Sequence, residues 1–139
     1  VIGQARQGQA PDMLAADFCK PGAAQGLWEE ALEHAEGAID VLVNNAGLFE
    51  ANPLDASDIA WLDSWEDTLR INLTSAAELS RFAVRHWRKT GRPGRIVHVA
   101  SRAGHRGDSP AHWHYAASKG GMLALHKTID RQYAAEGIL

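Results

Sequence analysis

Tyr115 and Lys119 are the residues whose types and spacing most directly suggest chemistry in this sequence. A separation of four positions places two side chains on one face of an α-helix, about one turn apart. A phenol is a weak acid near neutral pH, and a neighbouring ammonium group favours its ionised form. In a partly desolvated site, such a pair can donate a proton to a reacting oxygen or accept one from it.

Ser101 is the candidate partner for that oxygen. It follows the short apolar run Ile96-Val97-His98-Val99-Ala100, whose length and composition are typical of a buried strand. A predicted helix over 112–135 comes next and carries Tyr115 and Lys119. A hydroxyl at a strand end, followed by this helix, predicts an acid–base centre in which Ser101 holds a carbonyl or alcohol oxygen beside the phenol.

Length and composition narrow the class of protein. The 139 residues suffice for one domain, and contents of 45% hydrophobic and 22% charged residues are ordinary for a soluble globular protein. A net charge of -3 gives no reason to expect nucleic acid or an acidic membrane as a partner. No apolar run approaches the roughly 20 residues of a membrane span. The single cysteine, Cys19, excludes a disulfide framework and fits a cytoplasmic location.

The order of the predicted elements indicates an α/β fold. Alternating strands and helices imply parallel strands joined by crossover helices, with helices covering both faces of the sheet. Residues 1–11 show little pattern and are predicted to be a loop or the tail of an element. The predicted strands are 13–16, 39–43 and 95–100, and the predicted helices are 23–36, a short piece near 56–63, 65–89 and 112–135.

Polar residues follow each of the three predicted strands. Asp17, the run Asn44-Asn45-Ala46-Gly47, and Ser101 stand at these carboxyl ends, where ligands bind in open parallel sheets. We therefore expect them to line one crevice. Asn72 lies within the small, apolar stripe of helix 65–89, and a buried amide there needs hydrogen-bond partners.

Taken together, these motifs resemble the short-chain dehydrogenase/reductase family. Asn44-Asn45-Ala46-Gly47 matches the family's Asn-Asn-Ala-Gly motif, and Tyr115-Ala116-Ala117-Ser118-Lys119 matches its Tyr-x-x-x-Lys motif. Ser101 and Asn72 match its other two catalytic residues, and Asp17 its acidic residue after the third strand. The similarity is greatest to the 3-oxoacyl-acyl-carrier-protein-reductase-like branch.

The resemblance implies a Rossmann-like, doubly wound parallel sheet, with residues 1–139 forming one partial dinucleotide-binding domain. It also implies NAD or NADP as cofactor and hydride transfer between a secondary alcohol and a ketone. Tyr115 would be the general acid or base, and Ser101 would hold the substrate oxygen. Lys119 would favour the ionised phenol and bind the nicotinamide ribose, and Asn72 would anchor a water for proton supply.

For the cofactor, the resemblance implies contacts on both sides of the crevice. Asp17 and the backbone of Phe18 would contact the adenine. Asn45, Ala46 and Gly47 would pass beneath a ribose, where the small residues allow close backbone approach. Helices 65–89 and 112–135 would form a homodimer or homotetramer interface.

The sequence also departs from the family pattern. The Gly-rich pyrophosphate loop is not found before Met13. The nearest match is Gly22-Ala23-Ala24-Gln25-Gly26-Leu27-Trp28, in which Trp28 replaces the third glycine, so we interpret it as a turn into a helix. We expect the sequence to be the middle of a domain of about 250 residues.

Other functions remain open. A truncated or non-catalytic family member could serve as a binding or scaffold subunit, and an epimerase or dehydratase is a third possibility. His105, His112 and His114 share no helical spacing that favours a metal site, so none is predicted. We instead expect these histidines to line the substrate entrance and to favour polar or anionic substrates.

Overall fold

The computed structural model describes residues 1–8, 10 and 12–139. The chain alternates short strands with longer helices, as the sequence predicts. Its elements are β1 (Gly3–Ala5), β2 (Met13–Ala15), α1 (Ala23–His34), β3 (Val41–Asn44), α2 (Asp58–Leu69), a π-helical turn (Arg70–Thr74), α3 (Ser75–Thr90), β4 (Arg95–His98), α4 (Ala103–Arg106), α5 (Trp113–Tyr133) and a closing 3-10 turn (Ala134–Glu136).

The strands form two separate parallel pairs. β1 pairs with β2, and β3 pairs with β4 in a register that places Val41 opposite Arg95 and Asn44 opposite His98. A cleft of about 920 Å³ lies between the pairs and is lined by β3 and by residues at the start of β1. A single bridge from Gly94 to Ile138 extends the second pair.

The first strand corrects the interpretation of residues 1–11. Gly3–Ala5 pairs with Met13–Ala15, and the Gln4 side chain donates a hydrogen bond to the Ala16 carbonyl. The predictions for positions 9 and 11 lie outside the described residues. The strand was missed because its Gly-Gln-Ala sequence has no apolar alternation, so that pairing with β2 determines its structure.

The two helices predicted over 56–63 and 65–89 form one continuous helical segment, which runs through α2, the π-helical turn and α3. Ser57 caps its start by accepting a hydrogen bond from the Ala60 N–H, and Gly91 follows its end with a positive φ of 66°. Between them, the Ser75 N–H donates to the Arg70 carbonyl. This bond spans five residues instead of the four of an α-helix, which makes the turn π-helical. The predicted break is wrong because no glycine or proline interrupts residues 58–90.

The core lies on one face of the β3–β4 pair, where α1 and α3 pack. Trp28 from α1 meets Leu79 and Trp87 from α3, and the Trp87 indole donates a hydrogen bond of 2.6 Å to the Ile39 carbonyl. Ile96 of β4 completes this cluster. Burial of several large side chains here holds the strands against the two helices.

The opposite face of this pair is exposed. Val41 and Val43 expose 52% and 56% of their surface, and Val97 exposes 41%. Alternate strand residues point to opposite faces, and no helix covers these valines among the residues described. In the described residues, the helices therefore cover one face of the β3–β4 pair.

The segment around Ser101 folds more regularly than expected. Ser101 Oγ accepts a hydrogen bond from the Ala103 N–H beside the start of the short helix α4, which lies between the predicted strand 95–100 and the predicted helix 112–135. The predicted helix 112–135 is confirmed in place, and α5 covers Trp113–Tyr133. In the described ranges, no helix has both the length and the apolar character that crossing a membrane requires.

Candidate functional site

Asn72 connects three segments of the site from within the π-helical turn. Its side chain is completely buried. Its Oδ1 accepts a hydrogen bond of 2.6 Å from the Leu48 N–H, and its Nδ2 donates to the Leu48 carbonyl at 2.9 Å and to Ser118 Oγ at 3.2 Å. Asn72 therefore fixes the segment after β3 against helix α5, and its buried amide has the partners that the sequence pattern requires.

Lys119 projects from α5 toward the end of β4. Its Nζ donates a hydrogen bond of 2.8 Å to the Val99 carbonyl and lies 5.8 Å from the centre of the Tyr115 ring. The side chain is buried, and this burial lowers the pKa of the Lys119 ammonium. The cation thus sits one helical turn from the phenol, as the spacing predicts.

Gly47 approaches both of these side chains. A β-carbon at this position would lie 3.6 Å from Asn72 Oδ1 and 3.7 Å from Lys119 Nζ. The end of the Asn-Asn-Ala-Gly motif, the buried amide and the cation therefore converge. Three segments that are distant in sequence meet at the carboxyl ends of β3 and β4.

The segment that begins at Ser101 is held on α5 through the packing of α4. Gly104, three residues later, lies directly against the backbone of Lys119 and Gly120. This close approach of two helices needs a residue without a side chain. The contact holds the segment that starts at Ser101 against the helix that carries Tyr115 and Lys119.

Replacing Gly104 by alanine tests this packing. The new β-carbon would lie 2.7 Å from the Lys119 carbonyl carbon and 2.8 Å from the Gly120 nitrogen. Because both atoms belong to the backbone, we expect Gly104→Ala to destabilise the fold by about 2–3 kcal/mol in urea unfolding. The control is Gly26→Ala in α1, where a β-carbon meets nothing within 4 Å and a helix gains about 0.5–1 kcal/mol. Equal stability of the two variants would contradict the close contact.

Tyr115 is half-buried at the start of α5, and its ring meets Phe49 from the segment after Gly47. The ring centres lie 4.6 Å apart, with an interplanar angle of 71°. Phe49 also stacks on His112 at 4.2 Å. Sequence reasoning missed Phe49, because a single aromatic residue in a loop carries no pattern.

The predicted adenine contacts come from the other strand pair. The Asp17 carboxylate accepts a hydrogen bond from the Cys19 N–H and lies 3.4 Å from Arg6 Nε. The Cys19 bond, aided by Arg6, lowers the pKa of Asp17. Phe18 has its side chain in the core and its carbonyl bonded to Arg70.

The cleft between the strand pairs is lined by some of the residues predicted to bind the cofactor. Phe18 lines it from one side, and Asn45 and Ala46 line it from the other. Asp17 and the four catalytic candidates are not among its lining residues. The predicted single crevice is thus divided between this cleft and the neighbouring centre around Lys119, with Gly47 following the cleft residues directly.

A polar chain beneath the site involves His98, which the sequence pattern indicated only as part of a strand. Asn44 Nδ2 donates to Ser80 Oγ at 3.2 Å, and Ser80 Oγ lies 3.3 Å from His98 Nε2. The His98 ring packs edge-on against His126. Burial, together with His126 and Lys119, lowers the pKa of His98 to about 4.

This shift predicts a pH-dependent stability. Because the pKa of His98 falls from 6.5 to about 4 on folding, the unfolded chain alone binds the proton between these values, and stability is lost as the pH drops through this window. A shift of this size corresponds to about 3 kcal/mol, which partial exposure reduces to about 2 kcal/mol. Urea unfolding of His98→Asn should lack this contribution, whereas the exposed-site control His34→Asn should keep it. Parallel pH profiles for native protein and His98→Asn would refute the prediction.

His105, His112 and His114 do not form one cluster. His112 and His114 have ring centres 6.3 Å apart, whereas His105 lies on α4 and is exposed. His114 is buried, and this burial lowers its pKa. Among the described residues, no group of three or more His, Cys, Asp or Glu side chains is arranged to hold a metal ion.

The convergence of these motifs agrees with a match to a known family. A sequence profile described as short chain dehydrogenase matches residues 2–139. The chain belongs to this family. The family prediction made from the sequence motifs is therefore confirmed, and the similarity to known dehydrogenases and reductases confirms an enzyme family.

Relatives within the short-chain dehydrogenases include the 3-oxoacyl-[acyl-carrier-protein] reductase FabG of Haemophilus influenzae. It is 36% identical over 109 residues, which cover 78% of this chain and 43% of the relative. Glucose 1-dehydrogenase 2 of Bacillus subtilis is 32% identical over 125 residues, covering 88% of this chain and 46% of the relative. The chain thus spans less than half the length of these two relatives, and the reductase-like branch is supported.

A solved structure supports the fold. The crystal structure of a short chain dehydrogenase from Mycobacterium smegmatis superposes with a TM-score of 0.78 at 34% identity, covering 91% of this chain and 51% of that one. The predicted Rossmann-like parallel sheet, present in part, is confirmed. The two strand pairs described above belong to this fold.

Proposed function

We propose that this chain carries the catalytic part of an NAD(P)-dependent oxidoreductase that interconverts a secondary alcohol and a ketone. The observation that supports it most is the convergence of Gly47, Asn72 and Lys119 beside the helix face of Tyr115. The named relatives, a reductase and a dehydrogenase, support the same reaction class. In this proposal, residues 1–139 form one partial domain.

Tyr115 is the residue that transfers the proton. During reduction its hydroxyl donates to the carbonyl oxygen, and during oxidation the phenolate accepts the alcohol proton. Lys119 stabilises the phenolate by its charge, and Ser101 binds the substrate oxygen. Asn72, which is bonded to Leu48 and Ser118, holds the surrounding backbone and anchors the route by which the proton is replaced.

The residues present fit a nicotinamide dinucleotide. Gly47 leaves free the space beside Lys119 that a β-carbon would enter, and Phe18, Asn45 and Ala46 line the neighbouring cleft between the strand pairs. Lys119 and Tyr115 would hold the nicotinamide ribose, and Asp17 with the Phe18 backbone would hold the adenine. When bound, the nicotinamide of NAD or NADP supplies or takes the hydride.

Titration of the native protein with NADH and NADPH tests this proposal, followed by turnover of ketones monitored through loss of the reduced nicotinamide. We expect saturable binding of at least one dinucleotide and ketone-dependent oxidation. Absence of both would contradict the oxidoreductase and favour a binding or scaffold subunit. Binding with conversion of an alcohol by dehydration or epimerisation would favour the third class.

We also propose that the protein is a cytoplasmic homodimer or homotetramer. The interface would use the predicted helices 65–89 and 112–135, which correspond to α3 with the end of α2, and to α5. Ile59 and Leu62, earlier on α2, expose apolar side chains that extend this surface. The free thiol of Cys19 fits a reducing compartment. Sedimentation that gives a monomer at micromolar concentration would contradict the oligomer.

A further inference from the structure

Phe49 is an exposed aromatic residue that touches the proposed proton donor. Its surface is 57% exposed, yet its ring contacts Tyr115 edge to face. Single exposed apolar side chains are ordinary on a protein surface. The contact with Tyr115 distinguishes Phe49, because a molecule that reacts at this phenol must come close to the Phe49 ring.

His112 extends Phe49 into a surface of two rings. The rings are nearly parallel, with an interplanar angle of 15°. Ser109 Oγ lies 2.7 Å from His112 Nδ1, and a hydroxyl can donate to this nitrogen or accept from its N–H. Ser109 therefore orients the His112 ring in either tautomer.

Asn52 joins the two segments that carry these rings. Its N–H donates to the Ala111 carbonyl at 2.8 Å, and its buried side chain donates to the Trp61 carbonyl at 2.9 Å. The Phe49 segment, the His112 segment and helix α2 are thus tied together. Rings held in this way lose little freedom when a ligand covers them, which favours binding.

We propose that Phe49 and His112 form a specificity wall that receives an aryl substituent on the carbonyl carbon of the substrate. The inference deepens the proposed function, since it rests on Tyr115 as the proton donor. Aromatic rings gain from offset or edge contacts with other rings beyond the area they bury. The proposed substrate therefore carries an aryl group, in place of the polar or anionic character expected from the histidines. His112 contacts this group through its ring, while Ser109 is bound to one of its nitrogens.

Acetophenone and cyclohexyl methyl ketone are similar in size and shape, but only the first carries an aromatic ring. Comparing them therefore distinguishes contact between aromatic rings from burial of apolar surface. We expect Phe49→Leu and His112→Leu to lower the ratio of kcat/KM for the first over the second by about 2- to 10-fold. The change should lie in KM. The control is Leu54→Ala, an exposed apolar residue of the same connection, which should keep the native ratio. Equal loss for both ketones in Phe49→Leu would overturn the wall while leaving the oxidoreductase in place.

A binding measurement decides the inference even if no ketone turns over. The His112 Cε1–H resonance, assigned by its absence in His112→Gln, is followed while 1-phenylethanol is added to the native protein. We expect a saturable shift, produced by the ring current of the ligand, that weakens in Phe49→Leu. Such a shift in a protein that neither binds NADH or NADPH nor turns over a ketone would support aryl binding at the wall and reject the oxidoreductase. No shift up to the solubility of the alcohol would overturn the wall.

Discussion

Replacing Tyr115 by phenylalanine should lower kcat for ketone reduction by about 10³-fold. The substitution removes the hydroxyl and keeps the ring, so the contact with Phe49 should persist. General acid–base catalysis contributes about 10² to 10⁴ in rate, and no other phenol lies on α5 near this position. The measurement is steady-state reduction of the best ketone with saturating reduced dinucleotide.

The chain supplies its own control. Tyr133 is the second of two tyrosines and stands at the opposite end of the same helix. It packs against the core and beneath Arg88. Tyr133→Phe should retain most of the activity and bind the dinucleotide as the native protein does, whereas Tyr115→Phe should still bind it, with the affinity reduced by loss of the hydroxyl contact to the ribose. Retention of more than about a tenth of native kcat in Tyr115→Phe would remove this residue from the proposed mechanism.

Asn72→Ala should reduce both stability and activity. It leaves the Leu48 N–H and carbonyl without the bonds of 2.6 and 2.9 Å that Asn72 provides, and it opens a void in a fully buried position. An unpaired buried polar group costs about 1–3 kcal/mol, so we expect a loss of about 3 kcal/mol in urea unfolding. The motif ending at Gly47 should loosen with it, and kcat should fall by about 10- to 100-fold.

A comparison of amides checks that this loss comes from burial. Gln25 makes a hydrogen bond of 2.8 Å to Glu29 on the exposed face of α1. Gln25→Ala should change the free energy of unfolding by less than about 0.5 kcal/mol. Hydrogen exchange at the Leu48 amide should accelerate in Asn72→Ala and stay native in Gln25→Ala. Native protection of Leu48 in both variants would show that Asn72 does not hold this segment.

The sequence was most informative where chemically reactive or polar residues occupy positions set by the helical repeat. Tyr115 and Lys119 could be placed on one helix face because their spacing matches the helical repeat. Asn72 was noticed because an amide interrupts an apolar stripe, and its burial follows from that position. Ser101 was found through the strand that precedes it.

Contacts between segments could not be predicted in the same way. Phe49 meets Tyr115 in a loop that Asn52 bonds to residue 111, and the periodicity of a sequence does not show a hydrogen bond between two loops. The strand Gly3–Ala5 owes its structure to its partner rather than to its own residues. The π-helical turn at Arg70–Thr74 includes the hydrogen bond from the Ser75 N–H to the Arg70 carbonyl, and the pattern of apolar residues does not reveal such a change of partner.

The division of the strands into two pairs separates the residues proposed to contact the adenine from the proposed catalytic centre. Asp17 and Phe18 follow the pair β1–β2, whereas Gly47 and Lys119 belong with β3–β4. The two pairs are connected by side-chain packing and by the hydrogen bond from Arg70 to the Phe18 carbonyl. No backbone hydrogen-bond ladder joins them in the described part of the chain. Under the proposed function, substitutions around Asp17 should therefore change the contact with the adenine while the geometry around Tyr115 and Lys119 stays fixed. Affinity for the cofactor and the rate of the chemical step could then be altered independently.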